Sequence, residues 1–141
     1  MEYLERVADI ELKERLEAIG AVYIKGPKWC GKSTTAGQQA KSTIFLQDPD
    51  KRAEYLATGM TTPSVLLRGD TPRLIDEWQD IPLIWDAVRM EVDRRSLPGQ
   101  FILTGSNAVD SSEIMHTGTG RITRMKMLPM SLYETGESNG A

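Results

Sequence analysis

Gly26-Pro27-Lys28-Trp29-Cys30-Gly31-Lys32-Ser33 is the stretch that decides the fold of this 141-residue chain. It meets the pattern G-x-x-x-x-G-K-[ST] at every fixed position. Gly26 and Gly31 let the backbone curl so that successive N–H groups converge on phosphate oxygens. A helix starting directly behind the loop adds its positive N-terminal end. Lys32 brings a point charge to β- and γ-phosphates, Ser33 a hydroxyl for Mg²⁺, and Thr34 a neighbouring hydroxyl for the α-phosphate. The flanks agree with this reading. Ala21-Val22-Tyr23-Ile24-Lys25 is short, apolar and β-prone, a buried strand running into the loop, and residues 32 to about 41 read as the helix behind it. A strand–helix turn that met the pattern by accident would occur in on the order of one chain in a hundred or fewer, given the usual glycine frequency.

Upstream of the loop, Ile10, Leu12, Leu16 and Ile19 share one face of a helix that stops at Gly20. Downstream, residues 43–46 read as a second strand. Asp48-Pro49 reads as the cap and first turn of a helix that runs to Thr58, with Gly59 as its stop. Thr62-Pro63 and Gly69 bracket a shorter helix in the same way. Residues 73–77 form a third strand ending in Asp76 and Glu77. Asp80 is placed to cap the next helix, with Pro82 in its first turn and Ile81, Ile84, Trp85, Val88 and Val92 at helical spacing. Gly99 closes that region, residues 101–104 form a fourth strand, and Gly105-Ser106 turns away from it. A polar stretch over 107–120 is long for a mere connection. Residues 122–128 read as a fifth strand stopped by Pro129, and 134–141 as a polar linker or cut end behind a domain spanning 1–133.

Strands alternating with helices make an α/β fold with a parallel sheet covered on both faces. Such sheets bind ligands at the carboxyl ends of their strands. The loop follows the first strand, Asp76 and Glu77 end the third, and Thr104 to Ser106 end the fourth, so three groups converge on one edge.

Beside a phosphate loop, Asp76 suits Mg²⁺ held through water, and Glu77 suits the polarising of an attacking water. Two acids after an apolar run are otherwise an ordinary solvated strand end. Thr104 is placed to orient the water or sense the γ-phosphate, and Ser106 is a second candidate, although Gly-Ser is also common turn chemistry. Arg121 and Arg124 follow the long loop, where an arginine offered to a neighbouring subunit neutralises transition-state charge in many ATPases; surface arginines without that role are commoner. His116, the one histidine, has no evident metal partners. Cys30 lies near a helix N-terminus and Lys32, a setting that favours a thiolate, or it simply packs. Trp29 either stacks on a base or packs on the sheet, and Met115, Met125, Met127 and Met130 suit core or interface filling.

Bulk composition bounds the rest. With 40% hydrophobic and 26% charged residues the chain is globular and the length of one domain. A net charge of −3 gives no support to a nucleic-acid partner. One cysteine rules out an internal disulfide framework, which fits a reducing compartment. The N-terminus is charged, and no run approaches the roughly 20 apolar residues of a membrane span, so a cytoplasmic protein without a membrane partner is expected.

In order along nearly the whole chain, Gly20-Ala21-Val22, the Gly26–Ser33 loop, Leu46-Gln47-Asp48-Pro49, the run from Pro72 through Asp76-Glu77-Trp78-Gln79, residues 100–106 and Gly118-Thr119-Gly120-Arg121-Ile122 resemble a family of prokaryotic P-loop ATPases of the AAA type. In that family an N-terminal AAA domain precedes a C-terminal domain of unknown function. The resemblance implies a three-layer αβα sandwich with a five-stranded parallel sheet in the order 5-1-4-3-2. It implies ATP and Mg²⁺ as ligands, a Walker A loop at Gly26, Pro27, Lys28, Trp29, Cys30, Gly31, Lys32 and Ser33 with Thr34 beside it, and a Walker B pair at Asp76 and Glu77. Ser33 and Asp76 would hold the metal, and Lys32, Glu77, Thr104 and Arg121 would act in hydrolysis to ADP and phosphate. Ser33 stands where threonine is more usual. A homo-oligomer is left open. Family members continue well past Ala141, so the chain reads as the AAA domain alone, with the lid over the base expected beyond it. A nucleotide-gated interaction module with little hydrolysis is the alternative. A small-molecule kinase fits Asp76-Glu77 less well, and neither the Asn-Lys-x-Asp motif of GTPases nor an ABC-type signature occurs.

Overall fold

The computed structural model describes residues 7–27, 31–106 and 121–127. Helix α1 (Val7–Ala18) leads into β1 (Ala21–Lys25), followed by α2 (Lys32–Gln39), β2 (Ser42–Phe45) and α3 (Arg52–Thr61). A 3₁₀ turn (Pro63–Leu67), β3 (Arg73–Asp76), a second 3₁₀ turn (Trp78–Asp80), α4 (Leu83–Arg95), β4 (Phe101–Gly105) and β5 (Ile122–Lys126) complete the order.

The strands form one sheet in the order β2-β3-β4-β1-β5. Every pairing is parallel. This is the expected order, counted from the other edge. Register brings the strand ends level: Lys25 lies beside Gly105 and Asp76 beside Thr104. Everything that follows β1, β3 and β4 therefore leaves from one edge.

The central strands are apolar, apart from polar residues at or near their ends, because both faces are covered. Along β1, Ala21 and Tyr23 face one core while Val22 and Ile24 face the other. The first core packs Leu66, Leu67, Trp78, Ile84, Trp85 and Val88 against the sheet. Tyr23, Trp78 and Trp85 meet there with ring centroids 5.2 to 5.7 Å apart. The second core closes the opposite face with Leu12 and Leu16 of α1 and Ala36 of α2. The result is an αβα sandwich.

Several local expectations are corrected. Helix α3 begins at Arg52, not at Pro49, because Asp48 closes a turn: its Oδ1 accepts from the Asp50 N–H at 3.0 Å and its carbonyl from the Lys51 N–H. Gly59 does not stop that helix. It lies inside it, where an added Cβ would come within 2.7 Å of Ile81, so the residue is small for packing. Asp80 caps nothing; the residue before α4 is Pro82, without a side-chain cap. The Asp80 carboxylate instead takes Arg52 at 2.8 Å and Gln47 at 3.1 Å. Ile10 is exposed, and Asp9 rather than Ile10 joins Leu12 and Leu16 on the buried side of α1. The fifth strand ends at Lys126, before the expected 128.

Candidate functional site

The loop leaves β1 at Gly26, whose N–H donates to the Gly105 carbonyl and so stays tied to the end of β4. It re-enters helix through Gly31 at φ 91°, a left-handed conformation that glycine adopts at little cost. Lys32 is thereby the first residue of α2. It is only 3% exposed, and its Nζ donates to the Gly26 and Pro27 carbonyls at 2.9 Å each. Among the described residues no carboxylate pairs with it. A buried ammonium held by two neutral carbonyls keeps its charge uncompensated, which is costly unless an anion arrives.

Ser33 follows on the exposed side of the helix start, and its hydroxyl donates to Asp76 Oδ1 at 2.5 Å. The same Oδ1 accepts from Thr104 Oγ1 at 2.7 Å. Thr104 is fully buried, and the β3–β4 register sets it beside Asp76. Its oxygen also accepts from the Glu77 N–H at 3.1 Å.

Glu77 was expected as the last residue of the third strand. The strand ends at Asp76, and Glu77 turns off it at φ 60°, ψ 54°. A non-glycine residue there carries about 1–3 kcal/mol of backbone cost, and such costs concentrate at functional sites. The Thr104 hydroxyl pins the turn through the Glu77 N–H. Glu77 is 6% exposed, and its Oε1 accepts from Gln79 Nε2 at 2.6 Å and from Ser106 Oγ at 3.1 Å. Burial pushes the Tyr23 phenol above its ordinary pKa, and the nearby Glu77 carboxylate adds to that shift.

The fold thus brings together Gly26, Pro27, Gly31, Lys32, Ser33, Asp76, Glu77, Thr104 and Ser106. Thr34 sits exposed on the first turn of α2. Lys28, Trp29 and Cys30 lie outside the described residues, as do residues 107–120 with Met115 and His116, Met130, and the tail 134–141. Arg121 is not brought to this edge. It pairs with Asp93 at 3.2 Å just before β5, whose first residue lies beside Ala21 at the start of β1. The length of a strand, about 16 Å, separates it from the loop. Arg124 lies over the Trp85 ring at 5.7 Å and near enough to Tyr23 to lower its pKa. Gln79 was missed as a site residue: it enters the sequence reading only as the end of the run that carries the resemblance, with no role of its own.

Ser33 and Asp76 offer a hydroxyl and a carboxylate to one point, the oxygen donors a hard cation takes. Among the described residues no cluster of three His, Cys, Asp or Glu side chains suits a metal. Mg²⁺ takes few protein ligands and completes its shell with phosphate and water.

Comparison with known proteins agrees with this fold. The family model described as "AAA domain" matches residues 19–136. The uncharacterized proteins Mb2031c of Mycobacterium bovis and Rv2008c of Mycobacterium tuberculosis are each 28% identical to this chain over 94% of its length. The chain spans 30% of the length of each. Among solved structures, the replication initiator DnaA bound to AMPPCP and single-stranded DNA superposes with a TM-score of 0.50 at 15% identity, covering 91% of this chain and 48% of that one. At that identity the likeness is one of fold.

Proposed function

This chain belongs to the AAA domain family, and we propose that the carboxyl edge of its sheet binds MgATP and hydrolyses it to ADP and phosphate. The observation that carries this is the buried Lys32 ammonium, held open by two carbonyls at the mouth of a phosphate-type loop. Phosphate oxygens are the natural partners for that charge and for the loop N–H groups. Bound Mg²⁺ would supply charge neutralisation at the phosphates. Ser33 and Asp76 are the residues that would hold it.

The contacts of the remaining residues support a role for each. Glu77 takes a proton from water on this reading, which its carboxylate, held by Gln79 and Ser106 one residue past Asp76, supports. Thr104 fixes both neighbours at once, through the Asp76 carboxylate and the Glu77 N–H. Arg121 serves, on this proposal, a neighbouring copy in a homo-oligomer, since it sits at the far edge of its own sheet.

The test is phosphate release by the full-length protein and by Glu77→Gln. The variant is expected to bind ATP as the parent does and to lose at least about a hundredfold in turnover. Full turnover in Glu77→Gln refutes the assigned base. A parent that binds ATP yet releases no phosphate above background is a nucleotide-gated module.

A further inference from the structure

We propose that Gln79 is a positioning residue for Glu77, and that Gly105 is glycine in order to leave Gln79 room. This rests on Glu77 acting on water, as proposed above. Three observations converge. First, Gln79 Nε2 donates to Glu77 Oε1 at 2.6 Å, shorter than the Ser106 contact to the same oxygen. Second, among the described residues the other end of the amide has no partner: Gln79 Oε1 is buried without a hydrogen bond. Glutamine would avoid that cost by turning outward, and a buried unpaired acceptor is destabilising. It stays because the amide is committed to the carboxylate. With Glu77 ionised the amide does not turn over to satisfy its oxygen, since the oxygen would then face a carboxylate.

Third, the surroundings are cut to fit. A Cβ added to Gly105 would lie 2.9 Å from Gln79 Oε1 and 3.0 Å from the Tyr23 hydroxyl. Gly105 pairs with Lys25 at the end of β4, so its backbone is held by the sheet and does not yield. The Gln79 amide is the flexible partner, and any side chain at 105 moves it off Glu77. The left-handed turn at Glu77 makes the contact geometrically possible: it throws the acid off the strand and lets a residue two positions later reach back from the Trp78–Asp80 turn. Two local costs, one in the backbone of Glu77 and one in the amide of Gln79, thus buttress the same carboxylate.

Gln79→Met keeps the length of the side chain and removes both the donor and the orphan acceptor. In the full-length protein, kcat for phosphate release is expected to fall between about tenfold and a hundredfold, the scale of a misplaced catalytic group. KM for ATP and the affinity for a fluorescent ATP analogue stay within about twofold, and Tm is unchanged or higher. A residue that merely packs would show the reverse, with kcat kept or Tm lowered. Gly105→Ala is expected to show the same loss of kcat with ATP affinity kept. Turnover within twofold of the parent in Gln79→Met, while Glu77→Gln is inactive, overturns the inference and leaves the hydrolytic function standing. An active Glu77→Gln overturns both.

Discussion

Thr104→Val changes one atom at the junction of the site and leaves the volume of the core as it was. Two hydrogen bonds disappear: the one donated to Asp76 Oδ1 at 2.7 Å and the one accepted from the Glu77 N–H at 3.1 Å. Loss of a bond to a charged group costs about 1.5–3 kcal/mol, and a buried N–H left unpaired about 1–3 kcal/mol. The first figure belongs at its lower end, because Asp76 is only half-buried and keeps the Ser33 hydroxyl. A methyl in place of a hydroxyl in a fully buried position works the other way, by about 1 kcal/mol. The polar losses win, and the net is a destabilisation of about 2–3 kcal/mol, or about 10 °C in Tm for a domain of this size. Thr104→Ser keeps both bonds and loses one methyl, for about 1 kcal/mol. Urea unfolding of the three proteins, followed by tryptophan fluorescence, gives the differences directly. A valine variant within about 0.5 kcal/mol of the parent, or more stable than the serine variant, refutes the assignment of Thr104 as the clamp between β3 and the Glu77 turn.

Two further outcomes are expected. Gly59→Ala gains about 1 kcal/mol in helix propensity, yet its methyl would meet Ile81 at 2.7 Å; overpacking exceeds that gain, so a lower Tm is expected, and a raised one shows that Gly59 is not small for packing. Arg121→Ala loses only an exposed pair with Asp93, worth under about 1 kcal/mol, so Tm stays nearly level while turnover by an oligomer falls; a fully active monomer of this variant removes Arg121 from the chemistry.

The parts of the fold visible in the sequence are those set by local pattern. β1 appears at its observed bounds because an apolar five-residue run between a helix stop and a Gly-rich loop has no other use. The apolar spacing of α4 is likewise intact, with Ile84, Trp85, Val88 and Val92 all buried. Errors arise where a residue answers to something distant. Gly59 looks like a stop and is small because of Ile81, twenty-two positions away. Asp80 looks like a cap and is taken by Arg52. The site divides in the same way. Lys32, Ser33, Asp76 and Thr104 announce themselves by motif or by strand ends, whereas the left-handed Glu77 and the grip of Gln79 depend on the β3–β4 register, which one strand alone does not encode.

The central claim is that the Gly26–Ser33 loop holds the phosphates of MgATP through Lys32. Isothermal titration of MgATP into the protein and into Lys32→Ala tests it most directly. The parent is expected to bind and the variant to bind at least about a hundredfold more weakly, the loss of one desolvated charge contact of roughly 3 kcal/mol. Equal affinity in the two proteins, or no binding by the parent, contradicts it.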